Sequence, residues 1–341
     1  MVSGIIGSTY IFTEKGLIKI AEVNNTDKVY TISVNNQRKE NVKIEPIRLT
    51  HKYTGDIVLI NMEDGNNLFI SKNHRVLSKT QNGEYSWKKV SDMSPGMVLI
   101  KKLVISNITS EYQMLGDIPF KEDLAYFIGY CFANGFVSAD GKNILGWTSN
   151  NNDEKLNQKL VVIAQRIFNS TIQIINLPNE DLFLVENQSA LDFLNKNGIV
   201  FNEKDFNIPN IIYLSPQSVI KSFISGFIAS NKLKKYDISS YSKNFISGIS
   251  LLLTSIGLKS KIYHFCGEND LSIHIVSIDY DDYIEFEKII KNSFYKSKKV
   301  SKLTPIKITS INYSGPKEIF DLTIQETPSY IANGYVIHNH S

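Results

Sequence analysis

Residues 318–339 read EIFDLTIQETPSYIANGYVIHN. Two runs rich in β-branched and aromatic residues, EIFDLTI and YIANGYVI, flank a short polar break, as successive strands do. Asp321 interrupts the first run. A carboxylate there either faces solvent by alternation or is buried, and burial without a partner is costly. The second run leads straight into His338-Asn339, a pair that in mid-sequence reads as an ordinary turn. The roughly 40 residues after Lys298 are marginal as an independent core, so this tail is expected to complete a β domain begun elsewhere in the chain.

That beginning is residues 5–105. TYIFT, GLIKI, DKVYTISV, DIVLINM and NLFISK are strand-forming runs separated by turn signals such as EDGNN and QNGEY. From about residue 106 to 297 the character changes. EDLAYFIGYCFANG, EKLNQKLVVIAQRIFN, SALDFLNKNG, SVIKSFISGFIAS, KNFISGISLLLTSIG and DYIEFEKIIKNSF carry apolar residues at spacings of three and four, as helices do, with IQIINL and KIYHF as strands between them. The order β, α+β, β predicts a β domain interrupted by an insert, with segments 1–116, 117–298 and 299–341.

At 341 residues the length prior is about two domains. A composition 42% hydrophobic and 21% charged, with net charge +3, argues for neither nucleic acid nor membrane by itself. No apolar stretch approaches the roughly 20 residues that span a bilayer, and Glu14 and Lys15 interrupt any leader-like run. Two cysteines, Cys131 and Cys266, make neither a disulfide framework nor a metal cluster, which fits a reducing cytoplasm. A monomer with no membrane contact is expected.

The insert holds a weak repeat. FIGYCFANG and FISGFIASNK align Gly129 with Gly226, Ala133 with Ser230 and Asn134 with Asn231. Small residues four apart lie on one helix face and let two backbones approach closely; two unrelated core helices would explain the glycines equally well.

Taken in order, these stretches resemble an intein, a self-splicing element, with a LAGLIDADG-type homing endonuclease inserted in its splicing domain. GIIGSTYIFTEKGLIKIAEV, GNNLFISKNHRVLS, EIFDLTI and YIANGYVIHN resemble the successive splicing blocks, and SWKKVSDMSPGMVLI resembles a stretch that precedes the insert. LAYFIGYCFANGFV and FISGFIASNKL resemble the two endonuclease signature helices. The resemblance implies a mixed fold: an all-β Hint horseshoe built from both chain ends, and an inserted α+β domain of two pseudo-two-fold αββαββα halves.

It also implies roles. His74, in Ser71-Lys72-Asn73-His74 where the family has Thr-x-x-His, polarises and protonates the leaving amide at the upstream junction, and Ser71 holds that junction. Asp321 is an acid/base group linking the upstream step to downstream cleavage. Asn339 cyclises onto its own carbonyl, assisted by His338, so the chain is read as stopping just past a cut site. A histidine often found before the last hairpin is absent, its neighbourhood being Pro328 and Ser329. The two nucleophile positions fall on Gly4, which has no side chain, and His340; Ser3 and Ser341 stand one residue outside them. Ligation is therefore expected to be blocked. Splicing needs no cofactor, and its partners are the flanking host (extein) segments in cis.

In the insert, the metal-binding aspartates fall on Asn134 and Asn231, with Lys232 beside the second. Lys204 and Lys261 match basic residues near the scissile phosphates, or are plain surface lysines. Mg²⁺ is required only if the endonuclease is active, and loss of two carboxylates predicts that it is not. Residues 118–297 carry 17 Lys and Arg against 19 Asp and Glu, so at most weak binding to double-stranded DNA is expected. The alternatives are an active homing endonuclease, a cleavage-only Hint module and a structural relic.

Overall fold

The structure is a computed structural model. It describes residues 3–34, 40–80, 82–103, 111–115, 118–138, 144–150, 153–196, 198–199, 206–230, 236–266, 272–291 and 302–339. In chain order the elements begin with β1 (Ile5–Ile6), β2 (Tyr10–Thr13), β3 (Gly16–Lys19), β4 (Lys28–Val34) and β5 (Glu40–Met62). Then follow β6 (Asn67–Ser71), β7 (Arg75–Lys79), β8 (Tyr85–Lys89) and β9 (Val98–Leu103). The middle of the chain holds β10 (Met114–Leu115), β11 (Ile118–Pro119), α1 (Glu122–Asn134), β12 (Gly135–Val137), β13 (Ile144–Asn150), α2 (Glu154–Phe168), β14 (Gln173–Asn176), β15 (Glu180–Glu186) and α3 (Gln188–Lys196). It continues with α4 (Asn210–Tyr213), α5 (Gln217–Ser230), β16 (Asp237–Ser240), α6 (Lys243–Ser255), β17 (Ser260–Cys266), β18 (Ser272–Ile278) and α7 (Tyr280–Lys291). The chain closes with β19 (Lys302–Ile324), β20 (Ser329–Ala332) and β21 (Tyr335–His338).

These elements form two compact units. The first comprises Met1–Thr109, Ser250–Ile262 and Lys298–Ser341, and the second Ser110–Ile249 and Tyr263–Ser297. In the first, strands from both chain ends share one sheet, running β20-β2-β4-β5-β6-β1-β19-β9-β21-β7-β8 with β3 on β2. Its spine is the antiparallel pair β5 and β19, matched from Ile308↔Met62 to Ile324↔Ile47 with three register shifts. Gly315, at φ +77°, sits at one of them, where a β-bulge favours a residue without Cβ. Leu68, Ile70, Val76, Leu322 and Ile337 are fully or almost fully buried and close the core between the two ends of the sequence.

The last hairpin follows from its turn. Asn333 and Gly334 take φ of 47° and 86°, the two positive values that a tight antiparallel hairpin needs. β20 and β21 then pair from Ala332↔Tyr335 to Ser329↔His338, which sets His338 opposite Ser329.

In the second unit α1 and α5 cross in contact at the two aligned glycines. A Cβ on Gly129 would stand 2.0 Å from the Phe223 carbonyl oxygen, and one on Gly226 1.9 Å from that of Tyr126. The repeat in the sequence is therefore a two-fold helix crossing in which each glycine admits the other helix's backbone. Two sheets follow along the chain, β12-β13-β15-β14, antiparallel throughout, and β16-β18-β17, in which β16 and β18 are antiparallel. The first half follows the expected order of αββαββα. The second shows α5, β16, α6, β17, β18 and α7, one strand fewer among the described residues; residues 231–235 lie outside them.

Candidate functional site

Three registers gather the splicing-block residues in the first unit. β1 pairs with β19 as Ile5↔Phe320 and with β6 as Ile5↔Ile70. Gly4 thus lies beside both Asp321 and Ser71. The Gly4 N–H donates to Ser71 Oγ at 3.0 Å, and the Ser71 N–H to the Gly4 carbonyl at 2.9 Å. A single turn closed by the His74 N–H on the Ser71 carbonyl, 3.1 Å, throws His74 back towards the same point. Pairing of β7 with β21 at Ile337↔Val76 brings His74 against the end of β21.

His74 Nε2 lies 2.9 Å from the His338 carbonyl oxygen, and its Nδ1 3.8 Å from Asp321 Oδ2. Since the carbonyl can only accept, Nε2 carries the proton. A proton arriving at Nδ1 would face the Asp321 carboxylate. His338 Nδ1 lies 2.8 Å from the Asn339 carbonyl oxygen and donates to it, while its ring meets Trp87 edge-on with centroids 4.9 Å apart.

Asp321 is buried completely and is held by hydrogen-bond donors. Oδ1 accepts the Leu322 N–H at 2.8 Å and the Tyr330 hydroxyl at 3.1 Å; Oδ2 accepts the Ser3 hydroxyl at 2.8 Å. These bonds offset the cost of burying the carboxylate. Burial first, then the charge and hydrogen bond of Asp321, push the Tyr330 phenol well above its usual pKa, so it remains a donor.

Gly4, where the resemblance places a nucleophile, is tightly enclosed. A Cβ built on it would stand 2.8 Å from the Phe320 carbonyl oxygen and 3.1 Å from Ile319 Cβ. The backbone of β19 occupies the space that a cysteine or serine would need.

Pro328 and Ser329 stand where the expected histidine is absent. The Pro328 carbonyl accepts the Asn339 N–H at 3.1 Å. Ser329 Oγ donates to the Ile32 carbonyl at 2.6 Å and accepts the Ile32 N–H at 3.0 Å. Tyr330 and Trp87 escaped the sequence reading, which noted Pro328 and Ser329 only as the place of an absent histidine. Each is a lone polar or aromatic letter in a strand or turn, with no spacing signal to mark it.

In the second unit Asn134 Nδ2 donates to the Ser230 carbonyl at 3.3 Å, joining the ends of α1 and α5. A carboxylate has no proton to give there. Among the described residues no three His, Cys, Asp or Glu gather as a metal site. The residues present do not fit a divalent ion held by paired carboxylates. Lys261 is exposed on β17. Asn231, Lys232, Lys204, His340 and Ser341 lie outside the described residues. No helix among those described is long and apolar enough to cross a membrane.

The family model described as Intein splicing domain matches residues 10–339. Among curated relatives, transcription initiation factor IIB of Methanocaldococcus jannaschii is 23% identical over 346 residues, covering 99% of this chain and 46% of the relative. The replication factor C small subunit of the same organism is 22% identical, over 80% of this chain and 15% of its own length. DNA polymerase of Thermococcus hydrothermalis is 20% identical, over 67% of this chain and 16% of its own. The chain thus spans less than half the length of these relatives. Among solved structures, Ssp DnaB mini-intein variant M86 has a TM-score of 0.35 at 10% identity, covering 99% of this chain and 95% of that one. I-DmoI in complex with DNA and Mn has a TM-score of 0.40 at 14% identity, covering 52% of this chain and 99% of that one. Both scores are too low to decide any role.

Proposed function

From the premise that this chain belongs to the intein splicing-domain family, matched over residues 10–339, we propose that it is a self-processing element that cuts after Asn339 and does not ligate its flanks. The observation that carries this reading is the donor on the scissile carbonyl: His338 Nδ1 at 2.8 Å from the Asn339 oxygen. Attack of the Asn339 side-chain nitrogen on its own carbonyl carbon builds negative charge on that oxygen. A fixed N–H at such a distance stabilises it. The bond to the His340 nitrogen then breaks; the attacking nitrogen loses a proton, the leaving amine gains one, and a succinimide remains. His74, donating to the preceding carbonyl and flanked by Asp321, fixes the peptide that carries Asn339 and offers a proton path. Recurrence of the matched segment in relatives named for unrelated proteins supports a passenger flanked by host segments.

Ligation needs an acyl acceptor at Gly4, where glycine offers none and β19 leaves no room for one. Purified chain incubated at neutral pH and followed by intact mass tests the reading. Loss of His340-Ser341 alone supports it, and an unchanged mass over days overturns it.

The second unit we read as a homing-endonuclease fold without cleavage. The α1–α5 crossing at paired glycines supports the fold. Asn134 donating where a metal-binding aspartate would stand supports the loss. One of its sheets agrees: β12, β13, β14 and β15 contain no Lys or Arg, while Glu180, Asp181 and Glu186 lie on β15. Phosphate binding requires the reverse. Magnesium-dependent nicking of DNA that vanishes in Asn134→Ala would overturn this.

A further inference from the structure

Glu45 on β5 is a buried carboxylate, 4% exposed, far from either splicing block in sequence. It faces the turn that joins β19 to β20. Oε2 accepts the backbone N–H groups of Glu326 at 3.1 Å and Thr327 at 2.9 Å. Oε1 accepts the Thr327 hydroxyl and, at 3.3 Å, that of Thr31. The next residue, Pro328, has a fixed φ and no N–H of its own. Its carbonyl takes the Asn339 N–H at 3.1 Å. On the far side Ser329 is stapled to the Ile32 backbone by two bonds.

The turn is therefore gripped from both sides, and through the Pro328 carbonyl it anchors the backbone of Asn339. We propose that Glu45 is a positioning residue for scission after Asn339: by fixing the 326–329 turn it holds the Pro328 carbonyl, and through it the Asn339 amide, in the attacking geometry. The proposal rests on the reading of Asn339 as the cut site. Cyclisation demands that the Asn339 side-chain nitrogen meet the carbonyl carbon of the same residue, and small losses of orientation cost rate steeply. Without the carboxylate, the Glu326 and Thr327 N–H groups lose their acceptor and the turn must move to find water. A neutral amide at residue 45 keeps one acceptor oxygen, so Glu45→Gln should retain part of the grip that Glu45→Ala loses.

The test uses the full chain labelled with ¹⁵N-asparagine, the Asn339 amide being identified by its loss in Asn339→Gln. Hydrogen exchange at that amide is compared with exchange at Asn66, and loss of His340-Ser341 is followed by mass. Glu45→Ala is expected to speed Asn339 exchange and slow scission, each by about tenfold or more, with Glu45→Gln intermediate. A core variant matched in melting temperature, such as Val58→Ala, should do neither. If Glu45→Ala does not fold, Glu45→Gln and Thr327→Val carry the same comparison. Unchanged Asn339 exchange in the Glu45 variants overturns the proposal, as does equal slowing by the core control. Faster Asn339 exchange with no scission in any chain, parent included, upholds the grip of Glu45 and overturns the cleavage reading instead.

Discussion

His74 Nε2 donates to the main-chain carbonyl of His338 across 2.9 Å, joining positions 264 residues apart in sequence. The bond ties the turn after β6 to the last strand, so the two chain ends meet through one imidazole. Replacing His74 with Gln keeps an amide N–H of similar reach for the His338 carbonyl but takes away the ring nitrogen that faces Asp321. We expect His74→Gln to slow loss of His340-Ser341 by roughly 10²-fold with little change in melting temperature. His338→Leu, which removes the donor from the Asn339 oxygen, should cost about 10²-fold or more. Intact-mass time courses decide both; rates within a factor of two or so of the parent would refute the roles.

Gly4 gives a prediction of opposite intent. Restoring a nucleophile by Gly4→Cys should not restore ligation between flanking reporters, because the new Cβ meets the Phe320 carbonyl at 2.8 Å. It should also destabilise the chain by about 1–3 kcal/mol, as overpacking does. Gly4→Ala should cost a similar amount, since the collision begins at Cβ. Thermal unfolding of the two variants checks this, and ligated reporters would defeat it.

For the second unit, Gly129→Ala and Gly226→Ala carry a sign test. Helix propensity alone favours alanine by about 1 kcal/mol. The crossing reverses this, because each Cβ would fall about 2 Å from a carbonyl oxygen of the other helix. Both variants should lower the melting temperature, and the double variant should depart from additivity because the two sites share one contact.

Asn134→Asp should not recreate a metal site. It turns a donor into an acceptor facing the Ser230 carbonyl, which accepts the Asn134 amide at 3.3 Å. We expect lower stability that added MgCl₂ does not recover, and no nicking of plasmid DNA. Magnesium-dependent stabilisation of this variant would show a latent site.

Glu45 predicts a pH dependence. Burial alone would raise its pKa, but hydrogen bonds from the Thr327 side chain and backbone, Glu326 and Thr31 outweigh it and leave the carboxyl below its ordinary 4.5. A depressed folded-state pKa contributes stability that is full above the unfolded value and lost as pH falls through the folded one. Stability should therefore decline below about pH 4.5 in the parent, and less steeply in Glu45→Gln. Lys43 and Glu326, paired nearby at 3.3 Å, are both well exposed and should contribute little. Denaturant melts across that range would show it.

Much of the first unit was legible in the sequence because strands and turns carry local signals. Asp321 was suspect as a charge in an apolar run, and the short C-terminal tail had to pair elsewhere. Two paired strands of 23 residues each were not legible, because β5 and β19 are interrupted by Gly, Pro and polar residues that break any local pattern. Glu45 reads as one more solvent-facing residue on an alternating strand; only the fold brings the 326–329 turn over it. Tyr330 and Trp87 likewise look like ordinary strand aromatics. The glycine repeat was visible as spacing, but not the mutual approach of two backbones.

The crossing of α1 and α5 has a consequence for descent. The helices are seated where side chains are absent, at Gly129 and Gly226, and the Asn134 bond at their ends is one separate contact. A change at position 134 alters one hydrogen bond, whereas any side chain at Gly129 or Gly226 meets the other helix's backbone. In such an architecture the shape is set apart from the chemistry at the helix ends, and a frame can outlast whatever those ends carry.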